Sequence, residues 1–265
     1  MYNAAEYGWI DETMKVIRRD FLPPDLEEEI RTFGIDGVVS VQARQTLEET
    51  RWLLSMAAQQ EFIKGVVGWV PLTKCSVREE LELLGTEPKL RAVRHVVQSE
   101  ADSYMLRDDF NAGVAALLQF GLAYDILICE RQLPEACQFV DRHANQVFVL
   151  DHIAKPRIKE DLLDPWRQNI AELARRENVY CKLSGMVTEA DFDTWTEAQL
   201  QPYFEAVLET FGPRRLMFGS DWPVCLVACS YSRWYEIVQR FAERLSEDEK
   251  ASLFGATACR AYGLR

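Results

Sequence analysis

The feature that most constrains the fold is a repeated alternation. Seven short, nearly unbroken apolar runs cover residues 37–41, 64–72, 91–97, 124–128, 147–153, 179–183 and 216–219. They are rich in Val, Ile and Leu. Continuous apolarity, rather than in–out alternation, is the pattern of parallel strands covered on both faces. Between them lie longer segments with apolar residues at helical spacing, at 47–59, 109–120, 133–143, 162–177 and 200–211; in the first of these the apolar positions are Leu47, Trp52, Leu53, Met56 and Ala57. Two more helical segments, 234–244 and 247–261, follow the last run. No Gly/Ser linker, low-complexity tract or internal repeat interrupts the series. Strand-then-helix repetition predicts a single α/β domain over residues 1–265 with a parallel sheet.

The N-terminal stretch breaks the pattern. Residues 2–9 are not strand-like, and they lack the basic start and apolar stretch of a signal peptide. Residues 12–19 read as a short helix, 21–26 as a docking loop, and Asp25 as the cap of a helix over 26–33. The strand count is therefore seven, where a (β/α)8 barrel has eight.

The polar residues cluster at the C-terminal ends of the runs. Ser220-Asp221-Trp222-Pro223 closes the last run, and Pro223, with no N–H to donate, stops the ladder there. Asp221 is thereby set at a strand mouth, where (β/α) barrels do their chemistry; the competing reading is an Asp that only caps a turn. His95 and His152 end two other runs. His143 falls at a helix end and is expected to be solvated there. Lys155 follows His152 closely, and Lys182 lies inside the apolar run 179–183, where a buried charge requires an opposite partner. Ser184, two residues on, shares its face. Arg94, His95, His152, Lys155, Lys182, Ser184, Asp221 and Trp222 thus collect at one end of the sheet. They form a cationic, hydrogen-bonding mouth with one general base, suited to hydrolysing or binding a small polar or anionic molecule. No G-x-S-x-G elbow or phosphate loop is present.

Composition narrows the partners. With 30 basic and 42 acidic residues the net charge is −12, which repels nucleic acid and anionic membrane surfaces. No apolar stretch approaches the ~18 residues of a membrane span. The seven cysteines form no CxxC pair, so a zinc ribbon is not expected; an odd, dispersed set fits reduced thiols in the cytoplasm.

The runs Asp151-His152-Ile153-Ala154-Lys155-Pro156, Cys181-Lys182-Leu183-Ser184-Gly185 and Phe218-Gly219-Ser220-Asp221-Trp222-Pro223 resemble the late strands of the amidohydrolase-related (amidohydrolase-2) family. The branch they are most similar to is the sugar-lactone hydrolases, with fuconolactonase, rhamnonolactonase and pyrone-dicarboxylate lactonase. The earlier runs, Gly68-Trp69-Val70 and the closing 254–264 segment fit the same pattern, so the resemblance covers nearly the whole chain. It implies a TIM-type (β/α)8 barrel, a small-molecule lactone or acid as substrate, Asp221 as general base, and His152 with His95 polarising the lactone carbonyl. Arg94, Lys155, Lys182 and Ser184 would orient hydroxyls or a carboxylate, and Trp222 would wall the pocket. The family opens with a strand ending in His-x-His, which this chain lacks; the resemblance thus implies that the eighth strand is the first one. No cofactor is then expected, or one divalent metal such as zinc at His152 and Asp221 where that strand is present. The alternatives are a metal-dependent decarboxylase of the same superfamily and an inactive, truncated isoform whose open edge favours homo-oligomers.

Overall fold

The computed structural model describes residues 2–264. Its sheet has seven parallel strands in sequence order: β1 Val38–Val41, β2 Ile63–Gly68, β3 Leu90–His95, β4 Ala123–Ile126, β5 Phe148–Leu150, β6 Val179–Leu183 and β7 Leu216–Phe218. All seven expected strands are present. The helices are α1 Pro23–Arg31, α2 Leu47–Gln59, α3 Val77–Leu84, α4 Asp108–Leu117, α5 Leu133–Asp141, α6 Trp166–Ala174, α7 Glu197–Phe211, α8 Tyr231–Phe241, α9 Glu247–Ala251 and α10 Thr257–Tyr262.

The strands curl around an interior. Val39, Val67, Ala92, Ala123, Val149, Tyr180 and Met217, one from each strand in turn, share one packed cluster with Ala261 and Tyr262 of α10. Residues of the opposite parity, such as Val66, Val93, Tyr124, Phe148, Cys181 and Leu216, pack outward against the helices. Strand alternation thus separates a barrel interior from an outer shell. The last helix plugs the floor of that interior.

β1 and β7 form the two outer strands, and no pairing joins them among the described residues. β1 is half-buried along its whole length, whereas all four β4 residues are buried. Beside this seam, Phe33, Ile35 and Val38 pack with Phe218, Tyr231, Tyr235 and Phe254. The N-terminal segment docks nearby. Its 3-10 turn Glu12–Ile17 packs against the turn Val224–Val227, and Phe21 meets Trp222 edge-on at 5.2 Å.

Several local expectations are corrected. Asp25 lies inside α1 rather than capping it; its carboxylate accepts the Leu22 N–H at 2.8 Å, with Leu22 at the cap position. The run 147–153 stays extended only to Leu150, and 64–72 only to Gly68, just short of Pro71. The helix expected over 162–177 starts at Trp166, behind Pro165. α3 was not expected from the sequence pattern, and the terminal helix is split by a π-helical turn, Ser252–Ala256. His143 is half-buried rather than solvated: its Nε2 lies 2.8 Å from Asn111 Oδ1, and its ring packs on Phe139 and Phe148.

Candidate active site

The chemistry-bearing residues form two layers inside the C-terminal half of the barrel. Alternation along β6 turns Tyr180, Lys182 and Ser184 inward; along β3 and β4 it turns Arg94 and Asp125 inward, and these two sit side by side in register.

The lower layer is a buried ion network. Lys182 Nζ lies 2.6 Å from Asp125 Oδ2 and 2.6 Å from Asp151 Oδ1. Arg94 Nη1 donates to Asp151 Oδ2 at 2.8 Å, and its other arm donates to the Gln42 carbonyl. The Tyr262 hydroxyl, rising from the floor, donates to Asp125 Oδ2 at 2.8 Å. Burial pushes the Asp125 carboxyl up, to about 6, against the opposing Lys182 charge. Burial acts the same way on Asp151, but there the Lys182 and Arg94 charges together prevail and hold it well below the ordinary carboxylate range. Burial favours neutral Lys182, yet the two carboxylates outweigh it and raise its pKa. The opposite partner that the sequence demands for Lys182 is therefore a pair of carboxylates, neither of which the sequence pattern marks as its partner.

The upper layer is open to the mouth. His152 Nδ1 lies 2.8 Å from Ser184 Oγ, and His152 Nε2 lies 3.7 Å from Asp221 Oδ1. That second distance is beyond direct hydrogen-bond reach. The two groups converge without saturating each other, and both can face a third oxygen. Their side chains keep 12% and 16% exposure, whereas Ser184 is 1% exposed and can only orient the ring. Burial pushes the His152 pKa down, with Asp221 and Asp151 pulling the other way.

Strand geometry alone would not bring these side chains together. Asp151 faces inward, so an extended His152 would face outward. Residues 152–155 instead take left-handed backbone, with φ of 50°, 48°, 60° and 49°. Such conformations cost roughly 1–2 kcal/mol per residue, and a β-branched Ile153 suits them poorly. The reversal swings His152 back over Ser184. Gly185 makes room: a Cβ there would come 2.7 Å from His152 Cβ, and its φ of +66° suits glycine. Asp221 repeats the device with φ 53°, and its carbonyl accepts the Cys225 N–H at 2.9 Å.

The rim adds a residue that the sequence did not signal. Glu189 follows β6 in the turn Val187–Glu189, and its Oε1 lies 3.1 Å from Lys155 Nζ. Burial raises its pKa; Lys155 opposes this, and Asp221 and Glu130 reinforce it. Trp222 stands beside Asp221 against Phe21.

His95 lies apart from this group. Next to inward Arg94, it faces the outer shell, stacked on Tyr104 at 5.0 Å and near Phe110. Trp69 Nε1 donates to its Nδ1 at 3.3 Å, and its Nε2 lies 2.8 Å from Glu100 Oε1. Burial lowers its pKa against the pull of Glu100.

Among the described residues, no group of three or more His, Cys, Asp and Glu is placed to hold a metal ion. His152 and Asp221 supply two donors, and Lys155 engages Glu189. Two donors do not complete a zinc shell, which takes three protein ligands even in catalytic sites.

The amidohydrolase family model matches residues 13–264. The chain belongs to the amidohydrolase family. Among curated relatives, an L-fucono-1,5-lactonase of Burkholderia multivorans is 43% identical over 276 residues, covering 99% of this chain and 93% of the relative. An L-fucono-1,5-lactonase of Burkholderia ambifaria is 36% identical, covering 96% and 89%. Among solved structures, an amidohydrolase from Burkholderia multivorans with bound zinc superposes with a TM-score of 0.97 at 42% identity, over 100% of this chain and 96% of the other. The amidohydrolase resemblance and the barrel it implies are thus both met. No helix among the described residues is long and apolar enough to cross a membrane.

Proposed function

We propose that this amidohydrolase opens a small sugar-acid lactone, with L-fucono-1,5-lactone as the first substrate to test. The observation that carries the mechanism is the convergence of His152 Nε2 and Asp221 Oδ1 at 3.7 Å in an open mouth. Asp221 accepts a proton from attacking water. In this mechanism the Ser184 hydroxyl, 2.8 Å from Nδ1, donates to it, which puts the His152 ring proton on Nε2 and offers it to the lactone carbonyl, where negative charge develops. Lys155 and Glu189 on the rim supply a donor and an acceptor for the hydroxyls of the sugar acid.

Arg94 and Lys182 are already engaged by Asp125 and Asp151. Their role in this reading is to fix Asp151, the residue from which the His152 turn departs, rather than to hold substrate. Should a divalent ion reach the mouth, His152 and Asp221 are the groups it would meet; they do not complete its shell, and no step is routed through it. Both curated relatives described above, at 43% and 36% identity, are lactonases, which weighs against the decarboxylase alternative.

The test is direct. Purified protein is incubated with L-fucono-1,5-lactone, and acid release is followed with a pH indicator against the spontaneous rate. Aromatic carboxylic acids are assayed in parallel for carbon dioxide. Lactone opening without decarboxylation supports the reading; carbon dioxide release without lactone opening overturns it.

A further inference from the structure

Four consecutive L-residues in left-handed backbone, Ile153 among them, do not hold themselves there. The surroundings must over-determine the turn. Some anchors lie within the mouth: Asp151 on Arg94 and Lys182, His152 on Ser184, Lys155 on Glu189. One comes from outside it. The Trp166 indole Nε1 donates to the Ile153 carbonyl at 2.7 Å. Trp166 is the first residue of α6, in the outer shell, 1% exposed and packed on Tyr203 at a ring separation of 5.2 Å.

The Ile153 carbonyl is buried in the middle of the reversal. Extended backbone would have sent it to the sheet ladder; left-handed backbone takes it out of the ladder, and the indole replaces the lost partner. Without that N–H, a buried acceptor is left unpaired, and the turn relaxes toward a conformation that frees it. His152 and Lys155 move with it, because both are carried on the reversed segment.

We propose that Trp166 is a positioning residue for the mouth: its indole N–H pins the left-handed turn that carries His152 and Lys155 inward. Trp166 touches no reacting atom and acts through the backbone of Ile153. The kinetic consequence rests on the lactonase reading; the backbone consequence does not.

The test compares Trp166→Phe with Trp195→Phe. Each removes a buried indole donor, but the single Trp195 N–H is spent on the Ala228 carbonyl at 3.2 Å and not on the turn. Hydrogen exchange by mass spectrometry and steady-state kinetics on L-fucono-1,5-lactone are read on wild type and both variants. In Trp166→Phe, the peptide spanning 151–156 exchanges at least tenfold faster while the other strands exchange at the wild-type rate. Its kcat falls at least tenfold with KM within threefold. Trp195→Phe leaves both readouts within twofold. Equal effects of the two substitutions, uniformly faster exchange, or an unchanged 151–156 peptide overturn the proposal. Where Trp166→Phe does not fold, 3-benzothienylalanine at position 166 replaces only the N–H by sulfur, and the same criteria apply. If wild type does not open the lactone, the functional reading fails, and the exchange result alone decides the role of Trp166.

Discussion

Replacing Lys182 by methionine probes the charge layer beneath the site. Lys182 Nζ is shared between two fully buried carboxylates at 2.6 Å each. Methionine keeps most of the stem volume and removes the cation. Asp151 retains Arg94 at 2.8 Å, but Asp125 keeps only the Tyr262 hydroxyl. Removing one partner of a buried ion pair costs ~3–5 kcal/mol, because the other charge stays behind uncompensated. Asp125 is the residue that meets this cost. Burial already pushes its carboxyl to about 6 with Lys182 in place, and without Lys182 it rises further. A carboxyl raised in the folded state holds a proton that the unfolded chain releases, so stability falls as pH climbs through the folded pKa. The loss should therefore be near ~3–5 kcal/mol at pH 8 and clearly smaller at pH 5. Urea denaturation at pH 5, 7 and 8 measures this, and adding Asp125→Asn should return part of the loss at pH 8. A cost below about 1 kcal/mol, or one that does not change with pH, would refute the reasoning, since it would place Lys182 among solvent-screened surface pairs.

Two further outcomes follow from the same structure. His143 is held below its ordinary value of 6.5 by burial, so the unfolded chain takes up the proton first and stability is lost as pH falls through about 6.5; His143→Gln should show a smaller drop in melting temperature between pH 7.5 and 5.5 than wild type, and an equal drop would remove His143 from that account. Gly185→Ala places a Cβ 2.7 Å from His152 Cβ at φ +66°; it should cost at least about 1 kcal/mol in urea unfolding and lower turnover, because the left-handed strain and the displaced imidazole act together.

The strands were legible because burial on both faces leaves apolar runs rich in Val and Ile and too short for buried helices, and each run of the sequence carries one strand. The lower layer was only half legible. Lys182 within 179–183 announces a buried charge, and the matching signal, Asp125 between Tyr124 and Ile126, lies in plain view in another run. Pairing the two requires knowing which strands face each other across a curved sheet. The placement of His95 follows from strand alternation once Arg94 is known to face inward, since neighbours on a strand point to opposite sides. His152 escapes the same rule only through its left-handed turn. Nothing local in His152-Ile153-Ala154-Lys155 favours that backbone, and a β-branched residue argues against it; the tertiary contacts of Asp151, Trp166 and Gly185 impose it. Glu189 gave no signal because it sits in a short turn after β6, with no periodicity to mark which way it faces.

Lactone opening in this mouth rests most directly on Asp221 as its general base. The decisive measurement is kcat on L-fucono-1,5-lactone for wild type and Asp221→Asn, with circular dichroism and melting temperature confirming that both fold alike. Loss of a positioned general base removes typically ~100–10,000-fold, so the account predicts hydrolysis well above the spontaneous rate in wild type and at least a ~100-fold fall in the variant. Near-full turnover in Asp221→Asn would contradict it and leave Asp221 as the cap of the turn after β7.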